Sequence, residues 1–116
     1  MQMLFVLNEG PYGSERSYNG LRHANAIGRR PDVSVKIFFM GDAVHCVRRG
    51  QTTPQGYYNV ERMVAIAVRQ GAACGACGTC MEARGMADDS LTPGVHRSSL
   101  DELAAWTADA DQVVVY

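Results

Sequence analysis

The chain has 116 residues, 47% of them hydrophobic, which suits one compact domain over residues 1–116 that builds its core without disulfide or metal staples. Its formal net charge of −1 gives no general attraction to nucleic acid or to an anionic membrane, and no apolar run approaches the ~18 residues that span a bilayer. Met1–Leu7 lacks a basic leader and turns polar at Asn8 and Glu9; it makes a poor signal peptide, so the expected location is cytoplasmic.

Short apolar runs alternate with amphipathic segments. Met3–Leu7 reads as a strand buried on both faces, followed by the loop Asn8–Gly13. Ser14 is placed to cap a helix that carries Tyr18, Leu21, Ala24 and Ile27 on one stripe. Asp32 and Val33 lead into a second strand, Ser34–Met40, which Gly41 and Asp42 break. Ala43–Gly56 is a long irregular stretch with a short helix near Val44–Val47; loops of that length tend to be functional or mobile. A helix over Asn59–Gln70 turns Val60, Met63, Val64, Ala67 and Val68 inward, and Gly71 ends it. Ala72–Cys77 is the third strand. Gly78–Ala83 forms one or two helical turns, closed by Gly85. A weak strand lies near Val95–Arg97. Ser99 and Glu102 make a capping box that opens a helix through Thr107, and Asp111–Tyr116 is the last strand. The alternation predicts an α/β fold, a parallel sheet with helices on both faces. Ligands and reactive groups gather at the carboxyl ends of such strands. Asn8–Gly13, Gly41–Gly56 and the turn around Cys77 should meet there.

Three of the four cysteines, Cys74, Cys77 and Cys80, are spaced three apart in GAACGACGTCMEARGM. In the cytoplasm such clusters point to metal binding or reactivity before structural disulfides. The run resembles the start of a ferredoxin-type ligand set, but Arg84 stands at the fourth position. Strand geometry also sends Cys74 and Cys77 to opposite faces, roughly 10 Å apart along the strand. A zinc site would need His45 or Cys46 as well. Cys74 reads as core, because free cysteine packs as a small hydrophobe. Cys77 sits where a strand ends and a helix begins, and unpaired N–H groups there favour the thiolate, the nucleophilic form. Gly78 lets another backbone or a substrate come close. Cys80, on the same helical side, reads either as a resolving thiol or as a packing residue.

The order ACGTCMEARGM from Ala76 to Met86, with FFMGDAV from Phe38 to Val44, Gly94–Val95 and the closing DQVVVY, resembles the DsrE/DsrF-like (TusD-like) sulfur-relay proteins over nearly the whole chain. The resemblance implies a three-layer α/β/α sandwich with a mainly parallel sheet of about five strands, assembled as a homo-oligomer, a trimer or hexamer. It also implies a persulfide carried on one cysteine, exchanged with sulfur-donor and sulfur-acceptor proteins and needing no cofactor. The carrier in such proteins lies eight residues before the glycine of the Arg-Gly pair; counting from Gly85 gives Cys77. Cys74 and Cys80 are additional to the single-cysteine carriers.

Other residues fall at the same pole. Asn8 and Glu9 at the first strand end are placed to line the cavity, and His45 and Cys46 to modulate the Cys77 thiolate or, for Cys46, to join it in a disulfide. Arg48 and Arg49 read as a solvated pair and Arg84 as a local cap or salt bridge. His23 and His96 stand alone, and Trp106 reads as core or interface. The leading function is a persulfide carrier on Cys77 with Cys80 as resolving thiol. The alternatives are a thiol/disulfide redox-sensing module using Cys77 with Cys80 or Cys46, a small Cys/His metal protein, and a structural domain with inert cysteines.

Overall fold

A computed structural model describes residues 1–116. Five strands form a single sheet: β1 (Gln2–Leu7), β2 (Ser34–Phe39), β3 (Ala73–Cys77), β4 (Val95–Ser98) and β5 (Gln112–Val115). Their order across the sheet is β4-β3-β2-β1-β5, and every pairing is parallel. Four helices connect them: α1 (Arg16–Ile27), α2 (Val60–Arg69), α3 (Gly78–Ala83) and α4 (Leu100–Asp109). A 3₁₀ segment, Gly41–Val47, follows β2, and a shorter one spans Asp88–Ser90. The three-layer α/β/α sandwich expected from the sequence is present.

The two sheet faces can be traced through the register. Phe5 lies beside Ile37, and Ile37 beside Cys74. Phe5 meets His23 of α1, so Phe5, Ile37 and Cys74 belong to the face that α1 and α2 cover. The intervening residues point the other way. Phe38 packs edge-on to Trp106 of α4 at 6.3 Å, and Gly75, in register with Phe38, lies beneath the same indole. Cys77, two residues beyond Gly75, shares this α4 face. Cys74 and Cys77 thus face opposite sides, as strand alternation requires. Leu4, Phe5, Leu7, Ile37, Phe38 and Phe39 are fully buried. Each contributes about 1.5–3 kcal/mol of apolar transfer. No helix is long and apolar enough to cross a membrane.

Three local expectations are corrected. The buried stripe of α1 is Ser17, Gly20, Leu21, Ala24 and Asn25, with Tyr18 and Ile27 only half-buried. A Cβ on Gly20 would lie 2.5 Å from the Leu7 side chain and 3.1 Å from Tyr116, so the helix approaches the sheet at a residue with no side chain. Tyr18 instead stacks on Tyr58 with centroids 4.1 Å apart. Ser14 accepts from the Arg16 N–H at 3.3 Å but lies one residue before the cap position, Glu15. At α4, Ser99 Oγ accepts from the Glu102 N–H, but the Glu102 carboxylate takes Ser98 Oγ and His96 Nε2 instead of closing the box.

The long stretch after the 3₁₀ segment is fastened. The Gln51 amide donates to the Cys46 and Arg48 carbonyls, each at 2.9 Å, and its carbonyl accepts from Tyr12 Oη at 2.7 Å. Arg48 bridges antiparallel to Leu91, and Arg49 bonds Ser90 and Leu91 carbonyls through its N–H and its Nε. Asn59 caps α2 by accepting from the Arg62 N–H, and its amide donates to the Gln51 carbonyl at 3.1 Å.

Candidate functional site

The parallel sheet gathers Leu7, Phe39 and Cys77 at one pole. Cys77 occupies the cap position of α3, with φ −58 and ψ 115, and its sulfur accepts from the Cys80 N–H at 3.4 Å. Only 8% of the residue is exposed. Burial, followed by the neighbouring Cys80 thiol, pushes the Cys77 thiol above its ordinary pKa; the Cys80 and Thr79 N–H groups pull back against this. This corrects the expectation of a thiolate favoured by the helix terminus. A helix of six residues has a short dipole, and the loss of water outweighs two backbone donors.

Gly78 is close to other atoms, but they belong to this chain. A Cβ there would lie 2.9 Å from the Ser98 carbonyl and 3.0 Å from Arg97 Nε. Arg97 also donates to the Gly78 carbonyl and pairs with Glu82 and Asp88. The glycine lets β4 back onto the cysteine turn, so the close approach is taken by backbone and Arg97.

Cys80 is half-buried. Its sulfur accepts from the Gly41 N–H at 3.2 Å. Gly41 has φ +58, a left-handed conformation that favours glycine. The next residue, Asp42, is held by Arg84, whose Nε and Nη2 reach Asp42 Oδ1 at 3.0 and 2.9 Å. Arg84 Nη1 donates to the Cys80 carbonyl at 3.1 Å. Arg84 thus caps the end of α3, as read from the sequence, and its salt bridge is long-range, to Asp42, where a local one was expected.

The other predicted residues lie at the same pole in different settings. Asn8 bonds the Tyr116 carbonyl through its amide and its N–H, which ties β1 to the end of β5. Glu9 and His45, with Gly10, Tyr12, Ser14 and Asp42, line an open depression of about 660 Å³. Partial burial, then Arg48 and Arg84, lower the His45 pKa, so the imidazole is neutral at pH 7. Cys46 is fully buried, its thiol set 3.6 Å from the Glu9 carbonyl and its pKa pushed up to about 12 by burial. That environment takes Cys46 out of the expected chemistry with Cys77. Cys74 is core, also raised to about 12. No three His, Cys, Asp or Glu side chains converge as a metal site, and the Cys77, Cys80, His45 and Cys46 set does not come together. A larger depression of about 690 Å³ between α1 and α2 touches none of the cysteines.

Gly41, Asp42 and Arg84 are the site residues that sequence reasoning missed. Their signal was present as two separate motifs, MGDAV and the Arg-Gly pair, with nothing local to show that one grips the other.

The DsrE/DsrF-like family profile matches residues 1–116. Protein YchN of Escherichia coli is 37% identical over 116 residues, covering 99% of this chain and 98% of its own. An uncharacterized protein of Methanopyrus kandleri is 34% identical over 112 residues, covering 96% and 90%. The crystal structure of the E. coli YchN protein superimposes with a TM-score of 0.93 at 38% identity over 100% of both chains. A protein of unknown function from Methanobacterium thermoautotrophicum, at 18% identity and a TM-score of 0.75 over 99% and 98% of the chains, shares the fold. With the strand-end cysteine, the Gly-Asp turn and the Arg-Gly pair assembled in one site, the chain belongs to the DsrE/DsrF-like family.

Proposed function

We propose that the protein is a sulfur carrier that holds a persulfide on Cys77 and passes it to an acceptor protein thiol. The observation that carries this reading is the Cys77 turn itself: a strand-end thiol at the carboxyl pole of the sheet, with the half-buried second thiol of Cys80 against it. Loading needs only exchange chemistry. The Cys77 thiolate attacks the outer sulfur of a donor persulfide, the donor S–S bond breaks, and the donor leaves as a thiolate. Delivery repeats the step: an acceptor thiolate takes the outer sulfur and Cys77 leaves as thiolate. With no acceptor present, the Cys80 thiolate attacks the inner sulfur on Cys77. A Cys77–Cys80 disulfide forms and hydrosulfide departs, reduced by the two electrons the thiols give up.

Intact mass after incubation with glutathione persulfide tests this directly. One sulfur gained on Cys77, lost in Cys77→Ser, is the expected outcome, and Cys80→Ser should retain the sulfur longer. No gain on any cysteine overturns the carrier reading.

The contact between the two thiols also favours a second reading, a dithiol that a peroxide converts to the Cys77–Cys80 disulfide. It predicts loss of two protons from the mass without sulfur gain. We further propose a homo-oligomer, because β5 leaves Val113 and Val115 exposed at 44% and 64% on the sheet face that α4 does not cover there. A monomer mass by light scattering rejects that assembly.

A further inference from the structure

The two cysteines of the turn have different supports. Cys77 takes its N–H from its own helix, Cys80 from a residue 39 positions away. That distant donor is Gly41, and the Arg84 guanidinium fixes its position from both sides. Two of its nitrogens grip the Asp42 carboxylate, next to Gly41, and the third holds the Cys80 carbonyl. One side chain therefore sets both the donor and the main chain that bears the acceptor sulfur. The ion pair does little for folding: the Asp42 side chain is 65% exposed, and such pairs contribute little to stability. Gly41 also keeps a left-handed turn that a β-carbon would strain. Ion pair and turn together serve to aim one N–H.

We propose that Arg84 and Asp42 are positioning residues for the second thiol, holding the Gly41 N–H on the Cys80 sulfur, where it meets the negative charge that this sulfur carries when it attacks. This rests on the reading of Cys80 as the resolving thiol. A hydrogen bond to an anionic sulfur is charge-assisted and stronger than one to a neutral thiol. The N–H therefore stabilises the form that attacks. Charge also favours the arrangement, since the Arg84 guanidinium is adjacent to the same turn.

The test uses full-length protein carrying Cys77→Ser, so that Cys80 is the thiol open to reagents; Cys46 and Cys74 are buried. Asp42→Asn and Arg84→Gln are compared with this parent at pH 8. Ultraviolet thiolate absorbance should fall by up to about tenfold, as expected for loss of one charge-assisted bond. Iodoacetamide alkylation of Cys80 should slow by only about threefold, because a less stabilised thiolate is the stronger nucleophile. The double variant should lose no more than either single one, since the two residues act as one device. Unchanged absorbance in both single variants overturns the proposal, and so does a double variant whose loss is the product of the two. Labelling of Cys46 and Cys74 would report unfolding; in that event Arg84→Lys, which keeps the charge and loses the fork, replaces Arg84→Gln, and full thiolate absorbance in it overturns the proposal. Sulfur gain is measured separately in protein with Cys77 intact. Failure there removes the carrier function and leaves the thiolate result to stand or fall alone.

Discussion

Burial divides the four thiols before any chemistry is considered. Cys46 and Cys74 lose water on folding, and both move from an ordinary thiol value of 9.0 to about 12. The folded state thus holds their protons more tightly than the unfolded chain. The stability this gives is fully present below pH 9 and is lost as pH rises toward 12, on the order of 4 kcal/mol per thiol at most. Denaturant unfolding at pH 8 and pH 10.5 should show the loss, and Cys74→Ala should lose less between the two pH values than the parent. Cys77 is also raised, so sulfur loading should keep accelerating as pH climbs through and beyond the ordinary thiol range; a rate that levels off below pH 8 would contradict that burial. At Gly78, an added methyl would collide with Ser98 and Arg97. Gly78→Ala should therefore cost about 1–3 kcal/mol, read by urea denaturation, and should loosen β4 from the cysteine turn.

At the level of elements, α2 shows a helix start that also fixes a loop. The Asn59 side chain accepts from Arg62 and donates to Gln51. Asn59→Ala should cost about 1 kcal/mol for the cap and release the loop tie as well, lowering the thermal midpoint. Asn59→Asp, which keeps the acceptor, should recover most of the helix term. The strands were legible because MLFVL is a continuous apolar run, the pattern of a sheet covered on both faces, and VKIFF and QVVVY are short runs rich in β-branched and aromatic residues. The α1 stripe was not, because hydropathy does not register Ser17 and Gly20 as core. The place of Cys77 at a strand-to-helix turn could be read from the local sequence alone. The Arg84–Asp42 tie could not, because it joins residues 42 apart and appears only once the sheet is assembled. The raised pKa of Cys77 was hidden for a related reason: the helix start is visible in sequence, whereas the depth at which it is set is not.

For the molecule as a whole, the strand order places β1 and β2 at the centre, sharing a six-residue register, with four-residue β4 and β5 at the edges. Amide hydrogen exchange should be slowest in β1 and β2 and fastest at the two edges; equal protection across the sheet would mean that the edges are covered by something else, such as a second copy. The long connection after β2 belongs with the centre. It holds two adjacent arginines, Arg48 and Arg49, an obvious place for trypsin to cut if the segment were slack. A protease needs several residues drawn out into its cleft, and cutting sites follow the freedom of the backbone more than sequence position. Here the backbone is paired to Ser90 and Leu91, and the Gln51 amide holds it from behind. Brief digestion should leave this bond whole and open the exposed turn after Arg29 first, the bond after Arg30 being protected by Pro31, so a segment that looks like a tether in sequence survives as a strut.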